Sequence, residues 1–519
     1  MTDRGAIVIG AGVGGLSAAA LLLNAGRRVT VLEAHVYPGG CAGTFYHQGY
    51  RFDAGATLAG GFAPGGPHAR LAELLGLEWP ARPVDPAWAV HLPERVITQW
   101  SDPKQWREER QAAFPGAEKF WRAQETLADI AWDVASRPFP WPPQSARDWA
   151  ALALAARPQT LRAAPYLLNT IGDLAPKNNP LFKTFLDAQL LISAQTTSEY
   201  ASALYGSAAL DLPRRGVNHV RGGIGGLAQT LVNWIRARGG EVLYRQTVER
   251  IEVKGGRAVA VTTDKGLRVE GDFVLANLTP WALRNLLGDD APASLRRETQ
   301  TRPATWGAFT LYLGLDSSAL PAHLPDHHQV VLDPTRPLGE GNSVFISLSD
   351  AEDVARAPNG RRAATLSTHT AIAPWWEASR QSDSAYAERK AAYTERLLTA
   401  AERALPGLRR AIRFQMAGTP LTFEYFTGRP GGMVGGFPQT SLFGARGPRT
   451  GLANLWLVGD SIFPGQSTAG VTLGGMRVAG EVLASWKRLR RTARPRMAGP
   501  PGGPGLGRAS AGARYHPME

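Results

Sequence analysis

A single cysteine, Cys41, stands in a chain of 519 residues, so no internal disulfide can form. That usage fits a reducing compartment, and a cytoplasmic location is expected. No uninterrupted apolar run is long enough to cross a bilayer. Nothing like a signal peptide precedes the first strand-like run, since residues 1–5 read only Met-Thr-Asp-Arg-Gly. Acids are short of bases, 44 against 57, which leaves a net charge of +13. The surplus resembles a nucleic-acid signature until it is located. From Lys487 onward eight basic residues face the one acid Glu519, so over half of the excess sits in the tail and no nucleic-acid partner is expected. Metal-ligand spacing is missing as well. His327-His328 and His369 have no carboxylate or cysteine framing them, and no metal is expected. No Ser/His/Asp or Cys/His pattern stands out, which disfavours hydrolytic chemistry.

What is present begins with a βαβ unit. Ala6-Ile7-Val8-Ile9 is an apolar strand-like run leading into Gly10-Ala11-Gly12-Val13-Gly14-Gly15, a Gly-x-Gly-x-x-Gly pattern. Leu16 to Leu23 reads as helix, Gly26 closes it, and Val29-Thr30-Val31-Leu32 is a second buried strand ending in Glu33. Each part has a physical role. Gly10 allows the tight turn, Gly12 lets backbone N–H groups approach a pyrophosphate, and Gly15 lets the helix pack on the sheet. The helix N-terminus faces the phosphates, and Glu33 can accept both hydroxyls of an adenosine ribose. At this length two or more packed lobes are expected.

Further on, Pro38-Gly39-Gly40-Cys41-Ala42-Gly43-Thr44-Phe45 is a glycine-rich loop, and Tyr50 to Thr57 (Phe52-Asp53-Ala54-Gly55 within it) is a short strand entering another. Asn454-Leu455-Trp456-Leu457-Val458-Gly459-Asp460 is a buried strand ending in Gly-Asp, followed by a loop and a helix from about Gly470 to Ser485. In this order the motifs resemble the phytoene desaturase and carotenoid isomerase family of FAD-dependent oxidoreductases, within the amine oxidase superfamily. The resemblance spans about residues 5–486. It implies an α/β fold: a Rossmann-like FAD-binding domain, amine oxidase- and GDI-like, with a mixed-sheet substrate domain and a helical region able to associate with a membrane.

By that resemblance the FAD-binding domain has three parts, residues 1–66, 211–285 and 441–486. The helical substrate and membrane region is 67–210, the substrate sheet 286–440, and a disordered basic tail 487–519. Cofactor-binding positions are Gly10, Gly12, Gly14, Gly15, Glu33, Ala34, Gly39, Gly40, Val248, Gly459, Asp460, Gly470 and Val471. Val248 matches the valine whose backbone meets the adenine, and the helix beginning near Gly470-Val471 would stabilise the N1–C2=O edge of reduced flavin. Cys41 replaces the usual Arg or Ser and reads as a small side chain in a crowded loop. The stretch Trp149 to Leu168, apolar with Arg157 and Arg162, is either two core helices broken at Pro158 or a membrane-dipping entrance. The resemblance favours the entrance and a peripheral membrane contact.

The activity implied is an FAD-dependent carotenoid desaturase, with hydride passing to flavin N5. The segments Pro38 to Phe45 and Gly418 to Pro438 look most like the C-3′,4′ branch. A redox-neutral carotenoid cis–trans isomerase shares almost every motif and is the alternative. A non-catalytic prenyl-lipid carrier of the GDP-dissociation-inhibitor type is a third, disfavoured by the retention of Glu33, Gly40 and Asp460. No catalytic base is legible. Asp53, Glu424 and Arg429 read as structural, in loop hydrogen bonds and ion pairs. The exact carotenoid, the electron acceptor and the oligomeric state are not legible either.

Overall fold

A computed structural model describes residues 4–302 and 306–493, with side chains as far as Arg488. A five-stranded parallel sheet is assembled from three distant parts of the chain, in the order Glu241–Leu243, Val29–Leu32, Ala6–Ile9, Phe273–Ala276, Leu455–Leu457. Its central strands read as continuous apolar runs because both faces are covered. Three helices pack around it: Val13–Asn24, Gly226–Ala237 and Thr468–Ala493. The first and last approach closely, since a Cβ on Gly475 would lie 2.4 Å from the Gly14 carbonyl oxygen. Small residues at that crossing bring the two helix starts to one end of the sheet.

The second sheet has seven strands in the order Ile412–Gly418, Gly307–Asp316, Arg361–Thr370, Ser343–Leu348, His327–Val331, Trp88–Leu92, Arg95–Gln99. It is mixed, because His327–Val331 pairs in parallel with Trp88–Leu92 while its other neighbours run antiparallel. Strand alternation divides its faces. Phe309, Leu311, Leu313 and Leu315 join Trp375, Tyr393 and Leu397 in one core beneath the helix Asp383–Ala404. Ala308, Thr310, Phe345, Ser367 and His369 line a cavity on the other side.

Two expectations are corrected. The stretch 67–210 is not wholly helical: Ala81–Val84, Trp88–Leu92 and Arg95–Gln99 are strands, and the last two extend the substrate sheet. Their short alternating runs around the turn at Pro93-Glu94 are a hairpin signal, hidden by the tryptophans and leucines of the helices that follow. The terminal helix also runs through Ala493, so residues 487–493 continue it rather than opening a tail. The expected disordered tail from Arg494 lies outside the described residues. Among the described residues, no helix is long and apolar enough to cross a membrane.

Candidate functional site

One cavity of about 1780 Å³ runs between the two sheets. Of the expected cofactor positions, Gly10, Gly12, Gly14, Glu33, Ala34, Gly39, Gly40, Val248, Gly459, Asp460, Gly470 and Val471 all line it. Gly15 does not. A Cβ there would lie 2.9 Å from the Gly10 carbonyl oxygen, so its place is in the contact between helix and strand.

The fingerprint end is built from backbone. Gly10 leaves its strand at φ 91° and donates to the Leu32 carbonyl (2.7 Å). The helix Val13–Asn24 begins at Gly12 with no side-chain cap and no acid in its first turn, which leaves the positive end of its dipole to the cavity. The Glu33 carboxylate is oriented by two backbone donors, the Ala11 N–H on Oε2 (2.7 Å) and the His35 N–H on Oε1 (2.8 Å). Each oxygen keeps a lone pair for a further donor. Gly39 closes against this turn, donating to the Ala11 carbonyl (2.8 Å) at φ 120°, where a Cβ would strike the Gly43 Cα at 2.6 Å. Val248 opens its strand just after Gln246, whose N–H donates to the Glu33 carbonyl (2.9 Å), so the second part of the chain meets the first at the acid.

Asn277, at the end of Phe273–Ala276, ties the whole end together and was not singled out as a site residue from the sequence. With Nδ2 toward the Val458 carbonyl (3.3 Å) its Oδ1 accepts from the Gly12 N–H (3.0 Å). A Cβ on Gly12, Gly15 or Gly459 would collide with its side chain or come within about 3 Å of it. An asparagine directly after an apolar strand was the available signal.

At the other motif, Asp460 forms a partly buried ion pair with Arg429 (Nη2 to Oδ2, 2.5 Å), while Arg429 Nη1 donates to the Gly435 carbonyl (2.8 Å). Burial opposes the Arg429 charge, but the Asp460 carboxylate outweighs it and keeps the guanidinium protonated. Burial pushes the adjacent Cys41 thiol up, so it stays protonated as a neutral loop side chain. The terminal helix starts at Thr468, earlier than expected, and the N–H groups of Gly470 and Val471 are spent on Ser467 Oγ (2.9 Å) and Ser467 O (2.9 Å). First-turn N–H groups left for a ligand belong to Thr468 and Ala469, which line the same cavity.

Asp53 and the histidines weighed as metal ligands are engaged by other protein groups. Asp53 takes the Thr44 hydroxyl (2.7 Å), the Ile224 N–H (2.9 Å) and Arg356 (2.9 Å). Of the histidines weighed as ligands, His327 meets Ser347 Oγ (3.0 Å), His328 meets His91 (3.1 Å) and His369 meets Gln195 (3.3 Å). The one cluster among the described residues close enough to share an ion is His219 with Asp326 and Asp350, and arginines hold both aspartates.

These features fit FAD: an uncapped helix start, glycines whose Cβ atoms would fill the cradle, an acid with spare acceptor sites, and the first-turn N–H groups of Thr468 and Ala469 facing the same cavity. The cavity then continues past the Gly435 loop along apolar walls from Leu152, Leu204, Leu212, Leu442 and Phe463.

Comparison with known proteins agrees with the resemblance. The family described as flavin containing amine oxidoreductase matches residues 13–483. Prolycopene isomerase 1, chloroplastic, of an Oncidium hybrid cultivar is 29% identical over 505 residues, covering 92% of this chain and 84% of the relative. Prolycopene isomerase of Arabidopsis thaliana is 28% identical over 501 residues, covering 92% and 82%. Hydroxyneurosporene desaturase of Rhodobacter capsulatus is 28% identical over 520 residues, covering 93% and 98%. Among solved structures, an oxidoreductase from Methanosarcina mazei superposes with TM-score 0.62 at 19% identity over 91% of this chain and 99% of that one. Putrescine oxidase bound to putrescine gives 0.62 at 17% identity over 93% and 99%, which establishes the fold.

Proposed function

We propose that this chain, which belongs to the flavin containing amine oxidoreductase family and is an FAD-dependent oxidoreductase, acts on the conjugated double bonds of a carotenoid. The observation carrying this is one continuous cavity of about 1780 Å³. It exceeds the roughly 300–1,000 Å³ of ordinary ligand sites. Its glycine-lined end suits a dinucleotide and its apolar end suits a long lipophilic chain. Bound FAD supplies hydride chemistry. The protein holds the cofactor through Glu33 and the helix starts, braces that cradle through Asn277 and the Arg429–Asp460 pair, and shuts water from the polyene with its apolar walls.

Redox-neutral cis–trans isomerisation is the better supported reaction. The prolycopene isomerases favour it, and so does the state of the cavity's carboxylates. Each is already engaged: Glu33 by two backbone N–H groups, Asp460 by Arg429, Asp129 by Arg214 and Arg215, Asp133 by Arg137 and Arg157. An isomerisation needs no net proton acceptor, whereas a desaturation does. The end-to-end match to hydroxyneurosporene desaturase keeps desaturation, including at C-3′,4′, as the second reading.

The carotenoid reaches the cavity from a membrane face. The helices Ala146–Ala155 and Pro158–Leu161 bury almost none of their apolar residues. Trp149 is 51% exposed, Leu154 88%, Leu161 70% and Leu168 92%, and Arg157 and Arg162 stand exposed among them. Core helices would hide those side chains; an interfacial segment presents them beside cations. Trp149, Leu161 and Leu167 also line the cavity, so entrance and patch coincide.

Pigment chromatography after expression in a host accumulating poly-cis or all-trans carotenoids tests the reaction. A changed cis/trans ratio without a new double bond is expected. A red-shifted product with one more conjugated bond moves the assignment to desaturase. A yellow flavoprotein that alters neither pigment overturns the carotenoid assignment and leaves the cofactor assignment standing.

A further inference from the structure

The segment over the entrance of the cavity is held by polar contacts rather than by a core. Between Ala146 and Leu168 the fully buried residues are Asp148 and Ala163. Its inner side still supplies part of the cavity wall, through Trp149, Leu152, Ala156, Leu161 and Leu167. A stretch with so little buried apolar surface opens locally at a small cost in free energy. Two carboxylates fasten it. Asp148 anchors the first helix, accepting from the Gln144 N–H (3.0 Å) and from Arg449 Nη1 (3.1 Å). Asp133, on the helix Glu118–Ala135, fastens the joint between the helices Ala146–Ala155 and Pro158–Leu161. It accepts from Arg157 Nη1 (3.2 Å) and Gln159 Nε2 (3.2 Å) on the segment, and from Arg137 just beyond its own helix. Arg137 also donates to the carbonyl of Ala155, the last residue of the first segment helix.

The charges at this latch do not cancel. Among the described residues, Asp133 is the one acid in ion-pair contact with Arg137 and with Arg157, so two cations share one carboxylate. The Arg137 side chain is 10% exposed and that of Arg157 59%, which puts the surplus positive charge on the outside. Burial, and then the neighbouring Arg157, hold the Arg137 pKa below the ordinary arginine value, so the two guanidiniums oppose each other. The other exposed charges of the segment, Arg147 and Arg162, are positive as well, and its one acid, Asp148, is buried. Leu154, Leu161 and Leu168 stand exposed between them. This is the complement of an anionic lipid surface, apolar at acyl depth and cationic at the phosphates. An exposed pair such as Arg157–Asp133 is weak enough for a second anion to compete with it. An anion that binds Arg157 better once it is free of Asp133 shifts the equilibrium toward the released form.

We propose that the phosphate oxygens of anionic lipids take Arg157 away from Asp133, releasing the joint at Arg157-Pro158 so that the cavity opens to a polyene at a membrane surface and stays shut elsewhere. Asp148 remains with Arg449 and serves as the fixed end about which the joint moves. Until lipid arrives, the inner side of the segment keeps water from the cavity. This rests on the proposed membrane entrance and adds what operates it.

The test uses the flavin-loaded full chain with vesicles of phosphatidylcholine, alone or mixed with phosphatidylglycerol. Hydrogen exchange of the amides in residues 146–168 is followed with empty vesicles, and polyene conversion with vesicles carrying the pigment. Phosphatidylglycerol is expected to speed exchange in this segment about fivefold, the scale of one exposed ion pair. Inorganic phosphate at matched charge, which brings no apolar surface, should leave it unchanged. Arg157→Gln should exchange fast without any lipid and convert polyene from phosphatidylcholine vesicles faster than the unmodified enzyme does. A role in recruitment alone would leave that rate unchanged, and misfolding would lower it together with flavin content; either result overturns the proposal. Asp133→Asn should behave like Arg157→Gln while keeping every cation that faces the vesicle. Vesicle-bound protein whose exchange ignores phosphatidylglycerol overturns the latch and leaves the membrane entrance standing. Equal acceleration by inorganic phosphate would give the latch to any oxyanion and overturn the lipid switch. Failure of the unmodified protein to bind vesicles removes the membrane entrance, and this inference with it. Faster exchange with no polyene converted removes the carotenoid assignment and upholds the latch.

Discussion

Asp460 illustrates how a motif residue acquires a second duty in three dimensions. As the end of an apolar strand it reads as a cofactor contact, yet its carboxylate is also the counter-charge of partly buried Arg429. Removing one partner of such a pair leaves the other charge uncompensated in a partly desolvated site and destabilises the fold. Asp460→Ala should therefore lose both bound flavin and stability. Asp460→Ala combined with Arg429→Met should recover much of the stability without recovering the flavin. Visible absorbance of the purified proteins and their urea midpoints separate the two effects. A yellow, fully loaded Asp460→Ala protein would sink the assignment of this residue to the cofactor. Glycine identities were legible for the same kind of reason: at Gly39, φ 120° and a Cβ 2.6 Å from the Gly43 Cα leave no room for another residue. Gln195 was not legible, because nothing in its sequence neighbourhood says that its carbonyl oxygen will be left unpaired.

At the scale of elements, the segment from Ala146 to Leu168 admitted two interpretations in sequence because apolar periodicity is the same for a core and for a membrane face. Exposure argues against the core interpretation and supports the proposed membrane contact. Leu154 and Leu168 lie outside the cavity wall and are 88% and 92% exposed. Changing both to Glu should abolish co-sedimentation with anionic lipid vesicles while flavin content and melting temperature stay unchanged. Retained vesicle binding would remove the membrane role of this segment. The strands Trp88–Leu92 and Arg95–Gln99 teach the complementary lesson. Their alternation was readable, but a parallel partner more than two hundred residues away was not, because pairing is decided by the sheet edge on offer.

Across the whole molecule, burial has placed several imidazoles where water cannot stabilise their charge. It lowers the pKa of His68, His327 and His328 to about 3 and of His369 to about 4. The unfolded chain binds protons on these rings near pH 6.5, before the folded protein does, so their contribution to stability is complete above 6.5 and is lost as pH falls below it. Each imidazole contributes at most about 1.4 kcal/mol per pH unit in that window. The urea midpoint should be flat from pH 8 to 7 and drop clearly by pH 5, above the carboxylate range. A midpoint unchanged between pH 7 and 5 would show that these rings take up protons without unfolding.

Local chemistry determined much of this protein in advance. A βαβ unit with its glycines and terminal acid is contained within some thirty consecutive residues, and its geometry follows from steric rules that neighbours in sequence satisfy by themselves. The Gly-Asp strand end is equally local. What tertiary structure alone decided lies between such segments. Asn277 bridging Gly12 to Val458, Arg429 crossing to Asp460, and Gln195 meeting His369 are contacts between residues far apart in the chain. A side chain's free lone pair, or a carboxylate already claimed by an arginine, exists only once the sheets have packed. The cofactor was therefore written in consecutive residues, while the substrate end depended on contacts that only packing makes.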